Sequence, residues 1–325
     1  MIVVNNRKEL KKLINQRIEE QGPKCDLNDI DVSRVTRMYG LFRNSEFDGD
    51  ISEWNVSNVI DMRDMFASSS FKGDLSKWDV SRVKNMHNMF SWSKFDGDIS
   101  KWDVSSVRDM SYMFDNSQFA GDISKWDVSS VKSMCGMFAG SIFHGDISKW
   151  NVSNTENMSW VFHSSKFNGD ISNWNTSNVR NMAGMFCNSH FKGDISKWDV
   201  RKVEDMSCMF WNSKFNNDIS QWNVSNVKSM NHMFMNSKFN KDISSWDVSN
   251  VENMNCMFAW SVFNKDISSW DVSNVRNMNY MFSESKFRGD LSKWDVSKVE
   301  QSLHIFNRSL LEGKEPEWCK QTQES

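Results

Sequence analysis

The chain sorts into apolar and polar positions with a period of 24 residues. In FDGDISEWNVSNVIDMRDMFASSS (47–70), apolar side chains stand at Phe47, Ile51, Trp54, Val56, Val59, Met62, Met65 and Phe66. Trp54 and Val56 alternate with Glu53, Asn55 and Ser57, the two-residue spacing of a short strand. Val59, Met62, Met65 and Phe66 fall at i, i+3, i+6 and i+7, which predicts a short helix over 57–69. Ser57 or Asn55 precedes it as N-cap. Gly49 stands in the connection back, where a glycine adopts a left-handed backbone easily.

The phrase returns without insertion or deletion. One Phe column runs from Phe47 to Phe287, a second from Phe42 to Phe306, and a Trp column from Trp54 to Trp318. The two Phe columns contain all 23 phenylalanines of the chain. One strand-and-helix unit cannot bury this many large side chains alone, so stacked copies must supply the missing walls. Parallel strands stack about 4.8 Å apart, whereas helices need roughly 8–10 Å. The expectation is therefore a curved α/β repeat solenoid with one short parallel strand and one short helix per 24-residue repeat.

The ends depart from the phrase. Asn6 and Glu9 form a capping-box pattern ahead of Leu10, Leu13, Ile14 and Ile18, and Gly22-Pro23 stops the run. Residues 1–24 are read as an N-terminal capping helix, and 25–311 as about twelve repeats. Residues 312–325 are read as a degenerate C-terminal cap and tail, in which Glu315-Pro316-Glu317 blocks further stacking.

The wording Asp-Ile-Ser-x-Trp-Asp-Val-Ser, followed by Met-Phe, resembles the BspA-like leucine-rich-repeat family of bacterial surface proteins over residues 25–318. The resemblance implies a leucine-rich-repeat-like right-handed solenoid. It also implies that Ile51, Trp54 and Val56 take the three core positions of the strand and Phe66 a later one. Members of that family are often exported and proposed to bind host or neighbouring-cell proteins. This chain shows no secretory signal, lipoprotein cysteine motif or wall-sorting tail, so the expected location is cytoplasmic.

Charge and chemistry narrow the function. The net charge is −3 with acids and bases interspersed, and no basic face suited to nucleic acid emerges. No apolar run reaches the length of a membrane span, so no membrane insertion is expected. Cys25, Cys135, Cys187, Cys208, Cys256 and Cys319 lack the spacing of a zinc site or disulfide framework and read as reduced thiols. An aspartate column from Asp50 to Asp290, with Asp26 in register, is a candidate calcium ladder. It lacks the Gly-rich nonapeptide of calcium-binding β-helices and the six to eight oxygens of a calcium shell. Each Asp is expected instead to accept backbone amides of its own turn. The histidines (87, 144, 163, 190, 232 and 304) do not pair regularly with serines, so no enzyme is expected, and no cofactor or metal.

The partner expected is another protein. Trp92, Tyr112, Trp160, Trp211, Trp260 and Tyr280 stand in variable columns that the helical reading turns outward. Exposed aromatics of this kind are binding candidates, with lateral packing between neighbouring repeats as the alternative. The opposite, strand-lined face carries the Glu53, Asn55 and Ser57 columns and is the second candidate surface. The expected function is a non-enzymatic protein–protein interaction scaffold that sequesters or inhibits a partner. A surface adhesin exported by another route, or a calcium-stabilised structural rod, is the alternative.

Overall fold

A computed structural model describes residues 1–322. It divides into two compact units, Met1–Thr155 with Ser165–Gly169, and Glu156–Ser164 with the chain from Asp170 onward. The named elements are few. β1 (Ile2–Val3) pairs in parallel with β2 (Ile30–Asp31), α1 spans Arg7–Gln21, and α2 spans Glu317–Thr322. The Asn6 side chain accepts from the amides of Lys8 and Glu9, and Glu9 accepts from the Asn5 amide. Two of the first-turn donors and the entering chain are thereby satisfied. Gly22, at φ 86°, ends α1. Leu10 and Ile14 are the buried residues of this helix.

Between these ends each repeat is a series of tight turns. Three have one design: Asp or Asn, an apolar residue, two polar residues, then a second apolar residue. Asp50 Oδ1 accepts from the Ser52 amide at 2.9 Å, and the Trp54 amide donates to Ile51 O at 3.2 Å. Asn55 serves Ser57 while Val59 closes on Val56 at 2.8 Å, and Asp61 serves Arg63 while Met65 closes on Met62 at 3.2 Å. A fourth turn joins the Ser69 amide to Phe66 O, and Ser69 Oγ then accepts from the Phe71 amide. The side-chain oxygens take donors that the abrupt turns would otherwise strand.

Neither repeating element matches the expectation. In place of a helix over 57–69, the segment 62–69 makes two consecutive β-turns whose third residues, Asp64 and Ser68, are left-handed at φ 56° and 54°. An α-helix needs φ near −63° throughout, so a left-handed residue every fourth position breaks it. The amides of Met62, Asp64, Phe66 and Ser68 instead donate forward to the carbonyls of Asn85, His87, Met89 and Ser91 in the next repeat, at 2.7–3.0 Å. The strand expected at 51–57 is likewise a pair of turns. Apart from Asp26↔Asp50, the isolated parallel bridges lie further on, Arg37↔Asp61↔Asn85↔Asp109↔Ser133 in the first unit and Asn157 through Gln301 in the second. Nor is Gly49 left-handed. A Cβ there would lie 2.0 Å from Cys25 O and 2.7 Å from the Phe47 ring, so glycine answers a lack of space.

The forward amide bonds stack like side chains over like. Trp54 and Trp78 lie 6.4 Å apart at 7°, Phe66 and Phe90 5.6 Å at 2°, and Phe71 and Phe95 6.3 Å at 8°. Each pair adds about 0.5–1.5 kcal/mol beyond the burial of its area. Ile51, Trp54, Val56, Met62, Met65 and Phe66 are all buried, as the core positions require. In the second unit Trp222 and Trp246 repeat the geometry at 6.5 Å and 4°. The stacking continues past 311: Trp318 is buried 6.5 Å from Trp294 and donates to Leu291 O at 2.8 Å.

Candidate functional site

Each repeat has two left-handed positions, and five of the six candidate aromatics stand there. Trp92, Tyr112, Trp160, Trp260 and Tyr280 have φ of 54–59°. Trp211 occupies the neighbouring column, outside the left-handed positions. A bulky residue in this backbone region costs on the order of 1–3 kcal/mol, which is why Gly and Asn dominate such positions.

Four of the six lie against their neighbours. A Cβ on Gly136 would come within 2.3 Å of the Tyr112 ring, and one on Gly184 within 2.3 Å of Trp160. Each ring therefore lies flat on the bare backbone of the repeat that follows it. Cys135 Sγ donates to Tyr112 Oη at 3.2 Å, and His87 meets the ring edge-on at 5.8 Å. The Cys135 contact, with burial behind it, pushes the Tyr112 hydroxyl up to about 12. Trp160 meets His163 edge-on at 5.2 Å, Trp211 lies 6.0 Å from His232, and Tyr280 lies 5.3 Å from His304. All four aromatics are half-buried.

Trp92 and Trp260 differ. Trp92 is 63% exposed and Trp260 44% exposed, and neither meets another ring among the described residues. Both occupy the second left-handed column, where Asn44, Asn116, Asn188, Asn212 and Asn236 are the usual occupants. One tryptophan falls in each unit.

The opposite surface carries rows of like charge. In the first unit Lys77, Lys101, Lys125 and Lys149 are exposed beside the Asp74, Asp98, Asp122 and Asp146 row. Lys77 pairs with Glu53 at 2.6 Å. In the second unit the lysine row is interrupted, with Lys197 and Lys293 flanking Gln221, Ser245 and Ser269. A polar depression of about 360 Å³ opens there, lined by Ser220, Gln221, Asn223, Ser245 and Asp247 among others. Each Asp of the row spends one oxygen on its own turn, as Asp98 does on Ser100 at 2.9 Å. The Ser amide, then the Ser hydroxyl, hold these carboxyls below the usual range. Among the described residues no group of three His, Cys, Asp or Glu side chains is placed to hold a metal ion. No helix among them is long and apolar enough to cross a membrane.

The left-handed columns were the signal that helical periodicity hid. Gly40, Gly136, Gly184 and Asn88 recur in one and Asn or Gly140 in the other, the residues that tolerate positive φ.

Comparison with known proteins agrees on the repeat. The family model described as Mycoplasma protein of unknown function, DUF285, matches six overlapping times, at residues 9–118, 91–190, 116–217, 141–238, 187–262 and 212–318. No curated protein and no solved structure matches the chain.

Proposed function

The chain belongs to the DUF285 family of repeat proteins, and on that premise we propose that it is a non-enzymatic scaffold that binds another protein. In this reading the repeats form a leucine-rich-repeat-like right-handed solenoid of the BspA type, held in the cytoplasm and sequestering or inhibiting its partner. The exposure of Trp92 carries the proposal. It combines a wet indole with a backbone conformation that Asn or Gly would adopt at lower cost. Trp260 repeats the arrangement in the second unit. Tyr112, Trp160, Trp211 and Tyr280 contribute shape beside them, since their rings already rest on neighbouring residues.

The test compares affinity capture from native lysate by the full chain and by Trp92→Asn and Trp260→Asn variants. Asn suits the backbone at both positions, so melting temperatures are expected to hold or rise. A partner retained by the parent and lost from the variants supports the reading. Capture unaffected by both changes would overturn the role of the tryptophans and direct attention to the Lys77–Lys149 row.

A further inference from the structure

Beside the parallel bridges of the first unit runs a strip of exposed cations. Thr36, Ile60, Lys84, Arg108 and Lys132 occupy the same position in successive repeats. From Ile60 onward, the amide of each donates to the carbonyl of the one before it at 2.8–2.9 Å, so the five lie in one ladder. A ladder spacing of about 4.8 Å sets Lys84 directly beside Arg108, and all five residues are exposed. Arg34 and Arg82, two residues earlier in their repeats, and Arg37, one residue later, widen the strip.

The acids nearby are already occupied. Asp61 accepts from Arg63 through both oxygens, at 2.9 and 2.8 Å. Asp31 and Asp79, three residues before Arg34 and Arg82, accept the Ser33 and Ser81 amides at 3.0 Å. Asp109 lies 3.9 Å from His87. Arg34 and Arg82 each spend a nitrogen on a neutral oxygen, Asn5 Oδ1 at 3.1 Å and Asn58 Oδ1 at 3.0 Å. Among the described residues, Arg34, Arg37, Arg82, Lys84 and Arg108 have no carboxylate within ion-pair distance.

The same column changes character further along the chain. From Glu156 to Glu300 it alternates Glu with Arg or Lys, and Arg180 pairs with Glu204 at 2.9 Å and Arg276 with Glu300 at 2.6 Å. Glu therefore suits this position of the turn, and its absence from 36 to 132 belongs to the first unit rather than to the repeat. The strip also has an apolar centre, because Ile60 is 38% exposed between Thr36 and Lys84. At the Thr36 end a cavity of about 350 Å³ is lined by Asn6, Arg7, Lys8, Thr36, Arg37 and Tyr39, among others. The Arg7 and Arg63 guanidinium groups lie 3.9 and 5.8 Å over the Tyr39 ring, so that ring is taken up by cations.

We infer that this strip binds an acidic segment of a partner protein, with carboxylates on Arg37, Lys84 and Arg108 and an apolar side chain on Ile60. Cations held at ladder spacing repel one another, and a row of carboxylates relieves that repulsion. Guanidinium groups add bidentate geometry that a carboxylate matches. A nucleic acid would ask for free stacking surfaces or for more phosphate contacts than this short row supplies. The strip shares no residue with the exposed tryptophans, so Trp92→Asn leaves it intact and the two proposals fail separately.

The probe is a short fluorescent peptide of Glu and Ser around one central Leu, titrated with the full chain at low ionic strength and read by anisotropy. Its control has Gln in place of every Glu. Saturable binding is expected, weaker by at least about tenfold for the Gln peptide and falling steeply with salt. Lys84→Glu with Arg108→Glu should weaken it at least about tenfold at an unchanged melting temperature, since Glu156 and Glu204 already occupy this column. Lys101→Glu with Lys125→Glu makes the same change of net charge in the lysine row and should alter affinity by less than about twofold. No saturation at millimolar peptide overturns the inference. So does equal weakening by the lysine-row variant, which would assign binding to net charge alone. Tighter binding of an oligothymidylate of equal charge would assign the strip to nucleic acid and overturns it. Self-association of the parent that is lost on Lys84→Glu with Arg108→Glu would assign it to a second copy and overturns it too.

Discussion

The indole Nε1 of Trp78 donates a 3.1 Å hydrogen bond to the carbonyl oxygen of Ile51, and the same bond joins Trp102 to Leu75 and Trp126 to Ile99. The column thus does two tasks, filling the core and satisfying a turn carbonyl of the preceding repeat. Trp78→Phe keeps a ring in the stack but removes one of the two donors to that carbonyl, the other being the Trp54 amide, and is expected to cost about 0.5–1.5 kcal/mol. Trp78→Ala also opens a cavity and should cost about 3–5 kcal/mol. Urea unfolding of parent and variants measures both costs, and a Trp78→Phe variant as stable as the parent would deny the hydrogen bond its part.

Acid sensitivity follows from the aspartate turns. The Ser100 amide holds the Asp98 carboxyl below its usual range, and Asp122 and Asp146 are held likewise by Ser124 and Ser148. A carboxyl whose folded value is depressed adds stability that is complete above its unfolded value of about 3.9, and loses it as pH falls through the folded value. The melting temperature should be flat near neutral pH and fall below about pH 4. Asp98→Asn keeps the acceptor, as Asn55 does for Ser57, and should retain most stability at pH 7, whereas Asp98→Ala should melt lower. Calcium at millimolar concentration is expected to leave the melting temperature unchanged. A large saturable rise would reassign the row as a metal ladder.

Glycine 184 and Trp160 act as a pair. Ala at 184 would place its Cβ 2.3 Å from the Trp160 ring on a backbone at φ 63°, so Gly184→Ala should cost about 1–3 kcal/mol. Adding Trp160→Ser removes the collision and leaves only the backbone strain, about 1 kcal/mol. A double-mutant cycle reads the coupling, and additive effects would place the ring elsewhere.

Thiol chemistry reports on the packing. Burial pushes the Cys187 thiol up to about 12 and the Cys208 thiol up to about 11. Neither should react with a thiol-specific disulfide reagent at pH 8 until the chain is unfolded. Rapid labelling of Cys187 in the native protein would show that its turn opens.

What each column holds is legible in the sequence, whereas the backbone that holds it is not. Ile51, Trp54, Val56 and Phe66 were legible as core because their side chains recur in register, and register is what stacking enforces. The turns imitate a helix because two successive four-residue turns place Met62, Met65, Phe66 and Ser69 inward, the same spacing as a helical face. The Gly and Asn residues of the Asp64 and Ser68 columns distinguish the two, since a helix gains nothing from residues suited to positive φ. The candidate aromatics were legible as outward-facing. The rest of Trp160 upon Gly184 was not, because it joins residues one repeat apart in two columns whose pairing only the stack creates.

The forward bond from the Phe66 amide to the Met89 carbonyl, 2.9 Å long, is what separates stacked turns from a helix. In a deuterated, ¹³C,¹⁵N-labelled sample, scalar coupling through the hydrogen bond identifies which carbonyl that amide reaches. Coupling from Phe66 nitrogen to the Met89 carbonyl carbon is predicted. Coupling to the Met62 carbonyl, four residues back within the same repeat, would restore the helix and contradict the stack of turns.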